Sequence, residues 1–71
     1  LKLDHMFNAI ESDDPESIRI MLPHAILLDR EVRGLVRQAM DKDRRVHVQM
    51  IVDRYQDILT WPVIRFLGLD S

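Results

Sequence analysis

Two stretches of this chain, thirty residues apart, lie over one another without a gap, and that repetition limits the fold more than any other feature of the sequence. The first runs Ala9-Ile10-Glu11-Ser12-Asp13-Asp14-Pro15-Glu16-Ser17-Ile18-Arg19-Ile20-Met21-Leu22, the second Ala39-Met40-Asp41-Lys42-Asp43-Arg44-Arg45-Val46-His47-Val48-Gln49-Met50-Ile51-Val52. Ala9 pairs with Ala39, Ile10 with Met40, Asp13 with Asp43, Ile18 with Val48 and Leu22 with Val52, so apolar positions meet apolar ones and acids meet acids. A period of about 20–50 residues is the mark of stacked supersecondary units, each too small to bury its own apolar face.

The spacing within each unit is helical. Leu3, Met6, Phe7 and Ile10 stand at i, i+3, i+4 and i+7, which predicts a first helix over about 2–12. Asp14 before Pro15 is a helix start, because the carboxylate accepts from unpaired N–H groups and proline at the first helical position gives up no hydrogen bond. The second helix is expected over about 15–22, stopped by Pro23, and the short join Ser12-Asp13-Asp14 makes the pair an antiparallel hairpin. His24 to Leu28 reads as an extended connector. Asp29 is then expected to cap a third helix, about 30–41, with Val32, Leu35, Val36, Ala39 and Met40 as its apolar stripe. Gly34 either weakens that helix or lets another backbone come close. After the turn Asp41-Lys42-Asp43, a fourth helix is expected over about 44–59, with Val48, Ile51, Val52, Tyr55, Ile58 and Leu59 inward. Thr60-Trp61-Pro62 breaks the chain, and a last short helix, about 62–67, ends at Gly68, which suits a left-handed cap with Leu69 beside it. No segment alternates with a period of two. The expected fold is all-α: two consecutive helix-turn-helix hairpins plus a short C-terminal helix, arranged as a small bundle or a truncated stack.

The 71 residues make one small helical domain, 1–71. Such a chain buries only about 60% of the surface its unfolded form exposes. It begins at Leu1 and reads as a fragment of a longer multidomain protein. The absence of cysteine excludes a disulfide framework and a thiolate metal site, and suits an intracellular, reducing compartment. The longest apolar run, Ala25-Ile26-Leu27-Leu28, is far short of a membrane span, and nothing resembles a signal peptide. Ten basic against twelve acidic residues is too even a balance to mark a nucleic-acid binder. Charge is distributed unevenly, however: residues 1–29 carry a net −4 and residues 30–45 a net +3.

Both copies resemble the helix-turn-helix core of the ankyrin repeat, which reads roughly Ala-Ala-x-x-Gly-x-x-x-x-Val-x-x-Leu-Leu. The first supplies Ala9-Ile10, Asp13, Ile18 and Met21-Leu22, the second Ala39-Met40, Asp43, Val48 and Ile51-Val52. Asp53-Arg54-Tyr55-Gln56-Asp57-Ile58 looks like the tail that follows that core, and Pro62-Val63 like the opening of the next first helix. The chain departs from the family in lacking the threonine-proline-leucine-histidine opening in both full copies. It also has aspartate at the turn glycine and a period of 30 against the family's roughly 33. The resemblance implies a non-enzymatic protein-binding module that uses the concave side lined by first helices.

Several residues are candidates for such a surface. Arg30, Arg33 and Arg37 form a guanidinium stripe on one helix face, able to grip carboxylates or phosphates bidentately. The plain alternative is a solvated face in local ion pairs with Asp29, Glu31, Asp41 and Asp43. Arg44, Arg45 and His47 extend the set at the second turn, and Trp61 is a possible aromatic anchor, set against the plainer reading that Trp61, Tyr55, Phe66 and Leu69 close the core. His5, His24 and His47 lack metal-ligand spacing, Asp41-Lys42-Asp43 lacks the glycine and downstream glutamate of a calcium loop, and two glycines cannot build a phosphate loop. Ser12, Ser17 and Thr60 sit at helix ends, where capping explains them. No catalytic residues, metal or cofactor are expected. The expected function is an adaptor or scaffold module whose helical surface binds a protein partner. The alternatives are a structural or homodimerising element and, less favoured because no aromatic interleaves the basic stripe, nucleic-acid binding by the third and fourth helices.

Overall fold

A computed structural model describes residues 2–70; Leu1 and Ser71, the ends of the expected domain 1–71, lie outside the described residues. Among the described residues five α-helices follow one another: α1 Lys2–Glu11, α2 Pro15–Met21, α3 Asp29–Asp41, α4 Arg45–Arg54 and α5 Trp61–Leu67, with single 3-10 turns at Leu22–His24 and Gln56–Ile58. No strand occurs among the described residues. The all-α expectation holds, hairpins and terminal helix included.

The thirty-residue repeat is visible in the backbone. Asp13 and Asp43, paired positions of the two copies, both adopt left-handed conformations, with φ of 56° and 58°. The residue after each closes the same long-reach turn bond: Asp14 N–H donates to the Ala9 carbonyl at 2.8 Å and Arg44 N–H to the Ala39 carbonyl at 2.7 Å. This is the Schellman arrangement that usually recruits glycine. Aspartate is among the few other residues that tolerate the left-handed region. Ala9 and Ala39, Ile18 and Val48, and Leu22 and Val52 are all buried, so the sequence correspondence is a packing correspondence.

The hairpins stack side by side, α1 against α3 and α2 against α4. Phe7 Cζ lies 3.6 Å from where a Cβ on Gly34 would stand. One turn further along, the Glu11 carboxylate takes a hydrogen bond from Gln38 Nε2, and Lys42 Nζ reaches it at 3.2 Å. Advancing four residues along α1 advances four along α3, so the two run parallel. The close neighbour at Gly34 is thus an aromatic side chain and not a second backbone, one of the two readings its place in the helix allowed. Helix α5 lies with its C-terminal end at the start of α4, held there by Arg45. The Cα radius of gyration is 11.1 Å, the value expected of a compact chain of this length, about 2.2·N^0.38 Å. The short stack is therefore also a small bundle.

Helix boundaries depart from expectation in three places. Helix α3 starts at Asp29, so Leu28 takes the cap position expected for Asp29. Leucine has no acceptor to offer. Glu31 supplies the other half of a capping box instead, its Oε1 accepting from Leu28 N–H at 2.7 Å. Helix α2 ends at Met21, and a 3-10 turn carries the chain through Pro23, whose missing N–H matters little at the start of such a turn. Helix α4 stops at Arg54, not at 59, and Tyr55 leaves the helical region at φ −119°, ψ 71°. The break lets the Gln56–Ile58 turn bury Ile58, whereas Leu59, expected inward, is exposed. In the connector, Ala25 is buried and Leu27 half-buried while Ile26 is 100% exposed, so only alternate residues are tucked inward. At the C-terminus Gly68 takes φ 75° and Leu69 N–H reaches the Ile64 carbonyl at 3.0 Å, as the glycine cap requires.

Candidate functional site

Helix α3 buries Val32, Leu35, Val36 and Ala39 and turns Arg30, Arg33 and Arg37 outward. At about 100° per residue these arginines, Gly34 and Asp41 fall on one stripe. That stripe forms a wall of an open groove of about 580 Å³ between α3 and the segment from Ile58 to α5. Val36, Ile58 and Val63, all buried, make its floor, with Met40 beside them; Thr60 and Pro62 line the other side. Gly34 leaves the middle of the arginine wall without a side chain.

The ion pairs that would have made the stripe an ordinary solvated face are not formed. Among the described residues the salt bridges are Arg19 with Glu16, Lys42 with Glu11 and Arg44 with Asp13. Glu31 accepts the Leu28 N–H instead. Arg30, Arg33 and Arg37 have no acid of the described residues within ion-pairing distance, and three guanidinium groups face the groove against a single carboxylate, that of Asp41.

The other sequence candidates are placed differently. Arg44 Nε donates to the Ile10 carbonyl at 2.8 Å, which also accepts from Asp13 N–H, and Nη2 to the Glu11 carbonyl at 3.0 Å at the end of α1, while Nη1 lies 3.6 Å from Asp13 Oδ2. Arg45 Nη1 donates to the Phe66 carbonyl at 3.1 Å and its Nη2 to that of Leu67, doing the same for α5. Cations at helix C-termini also meet the negative end of the dipole. Both arginines hold the fold together, and their donors are occupied as free anchors' would not be. His47 is 1% exposed and neither ring nitrogen has a hydrogen-bond partner, so it is a core residue and not a contact residue. Trp61 is 65% exposed, which removes it from the core; it does not line the groove, although its neighbours Thr60 and Pro62 do. Tyr55 and Phe66 pack against the core, while Leu69 is exposed.

Of the seven candidates, the structure therefore brings together three, Arg30, Arg33 and Arg37, and joins to them an apolar floor of which periodicity had marked Val36, Met40 and Ile58 only as inward-facing. The nearest sequence signal was Pro62-Val63, read as similar to a first-helix opening, and these two residues line the groove opposite α3. The role of Arg44 and Arg45 also had a signal. They occupy the positions of Asp14 and Pro15 in the first copy, and a helix start without a capping residue leaves its side chains available elsewhere.

At the start of α2 the electrostatics are local. Asp14 Oδ1 accepts from Ser17 N–H at 3.2 Å and Oδ2 from the Ser17 hydroxyl at 2.6 Å, and these donors hold the Asp14 carboxyl below its usual range. Glu16 is likewise held low by Arg19. A smaller, more polar cleft runs between α1 and α2, lined by His5, Asn8, Ser12, Asp14 and Ser17 among others. Among the described residues no group of three or more histidine, aspartate or glutamate side chains is placed to hold a metal ion. No helix of the described residues is long and apolar enough to cross a membrane. No protein-family model matches the chain, and neither a curated protein nor a solved structure does.

Proposed function

We propose that this chain is a non-enzymatic protein-binding module, acting as an adaptor or scaffold, and that the groove between α3 and α5 receives the partner. One observation carries the reading: three arginines with no ion-pairing acid among the described residues stand on one wall of a groove whose floor is apolar. Apolar floor with a polar rim is the usual anatomy of a protein-recognition surface. The ankyrin resemblance supports the same place, because in that family first helices line the binding side. In that resemblance α3 corresponds to a first helix and Pro62-Val63, at the start of α5, to the opening of the next.

Retention of proteins from an extract tests the proposal, with the wild-type domain beside Arg33→Glu/Arg37→Glu and a control reversal on the other hairpin, Arg19→Glu. A protein held by wild type and control, lost by the double variant and insensitive to nuclease, is the expected result. Identical retention by all three, with helicity unchanged by circular dichroism, removes the groove as the binding surface.

Self-association is the second reading, favoured by Ile26, Leu28 and Trp61, large apolar side chains that are exposed on the single chain. Sedimentation across a concentration series decides it, since a second copy covering them gives a mass that rises with concentration.

A further inference from the structure

We infer that the partner element taken by this groove is an acidic amphipathic helix, laid along α3 with its carboxylates on Arg30, Arg33 and Arg37. The inference rests on the groove being the protein-binding surface and adds what chemistry fills it. Three features of the groove define that chemistry.

The first is charge. Three arginines and one aspartate line the groove, and none of the three arginines has an ion-pairing acid among the described residues, so an anionic partner supplies what they lack. Guanidinium is the cation best suited to bidentate contact with carboxylates.

The second is spacing. Positions 30, 33 and 37 advance along the α3 axis by about 4.5 and then about 6 Å, at about 1.5 Å per residue. A partner helix with acids three and four residues apart repeats those intervals. An extended strand presents one face every two residues, about 6.6–6.8 Å, and falls out of step by the third arginine. The apolar floor of Val36, Met40, Ile58 and Val63 then takes the partner's apolar residues, the usual way an amphipathic helix sits in a groove.

The third is polarity. Arg30 lies in the first turn of α3, where the helix dipole favours anions, and Asp41 ends the helix, where it favours cations. The groove is basic along most of its length and acidic at one end. A partner helix with acids over Arg30, Arg33 and Arg37 and a lysine over Asp41 therefore has one favoured direction.

The probe is a synthetic amphipathic peptide with glutamates at three- and four-residue spacing, leucines between them and one terminal lysine. It is titrated into the isotopically labelled domain and read by amide chemical-shift changes. Shifts confined to α3 and to residues 58–63 are expected, with binding weakened about tenfold or more when the glutamates become glutamines. A matching peptide with lysines in place of the glutamates should bind Arg33→Glu/Arg37→Glu and not wild type. Equal binding of the glutamine peptide, shifts centred elsewhere, or no shifts at all overturns the inference. A short DNA duplex that gives the same shifts more tightly than the peptide also overturns it, in favour of phosphate recognition. If the double variant loses its extract partner while wild type ignores the acidic peptide, the protein-binding reading stands and the acidic-helix inference alone falls.

Discussion

The two inter-helix turns, Ser12–Asp14 and Lys42–Arg44, have the same backbone and opposite side-chain habits. Each places an aspartate in the left-handed region and closes an equivalent turn bond onto a buried alanine's carbonyl. In the first, the residue that begins the next helix is Asp14, which accepts from Ser17 and so acts within its own helix. In the second it is Arg44, whose side chain caps nothing on α4 and reaches across to the end of α1, while Arg45 reaches to the end of α5. One turn stabilises a helix, the other ties three layers together. A repeated sequence can thus repeat its geometry while dividing local and long-range tasks between its copies.

The comparison breaks most visibly at the clasp. Arg44→Met, which keeps the stem and removes the donors, leaves the carbonyls of Ile10 and Glu11 without their charged partner and should cost about 2 kcal/mol by urea denaturation, since hydrogen bonds to charged groups contribute about 1.5–3 kcal/mol. Arg45→Met should cost less globally but release α5, seen as faster hydrogen exchange over residues 61–68 with α1 unaffected. Equal and negligible losses from both variants would mean that the two turns do not differ in reach.

His47 and Ser17 occupy the same register position and sharpen the contrast further. Ser17 gives both its N–H and its hydroxyl to Asp14, whereas the imidazole of His47 is buried with both nitrogens unpartnered. An unsatisfied buried polar group costs about 1–3 kcal/mol, and an apolar replacement of similar size removes that cost. His47→Leu should therefore stabilise the domain by about 1 kcal/mol, despite altering a core residue. A loss of stability would show that the ring's packing matters more than its orphaned nitrogens.

Smaller again is the effect of the left-handed aspartates. Glycine takes that conformation without the Cβ penalty, so Asp43→Gly should gain about 0.5 kcal/mol, offset in part by the freer unfolded chain. Asp13→Gly should gain less, because Asp13 also lies 3.6 Å from Arg44 Nη1 and the substitution removes that contact. A difference between the two gains, measured as midpoint shifts, isolates the clasp from the turn itself.

These side-chain assignments explain which features the sequence carried openly. Helix starts and stops at Asp14-Pro15, Pro23 and Gly68 are decided by the residues themselves, and the apolar stripes of α1 and α3 by spacing. The end of α4 at Arg54 is not: neither proline nor glycine stands there, and the break follows from burying Ile58. The same limit governs the site. The arginine stripe is visible from positions 30, 33 and 37, but its floor is assembled from α3, the 3-10 turn and α5, elements brought together only by folding. Arg44 and Arg45 read as free cations because nothing local pairs them, and their carbonyl partners lie more than twenty residues away.

Acid should separate the turns by a different measure. The Ser17 hydroxyl and N–H hold the Asp14 carboxyl below its usual range, so the folded state binds that proton less tightly than the unfolded chain does. The stability this provides is complete above the unfolded value, near about pH 4, and is lost as pH falls through the folded one. The second turn has no equivalent, because arginine stays charged throughout. Asp14→Asn keeps a cap acceptor but no titrating group, so its melting temperature should fall less steeply than wild type's in acid. Glu16 is also held low, by Arg19, and contributes with the same sign. Glu16→Gln is therefore the necessary companion, and the pair of slopes shows how much of the acid response belongs to the first turn and how much to the exposed pair beside it. If Asp14→Asn leaves the wild-type slope unchanged while Glu16→Gln flattens it, the first turn's carboxylate caps its helix by geometry alone, and the contrast between the turns reduces to the reach of Arg44 and Arg45.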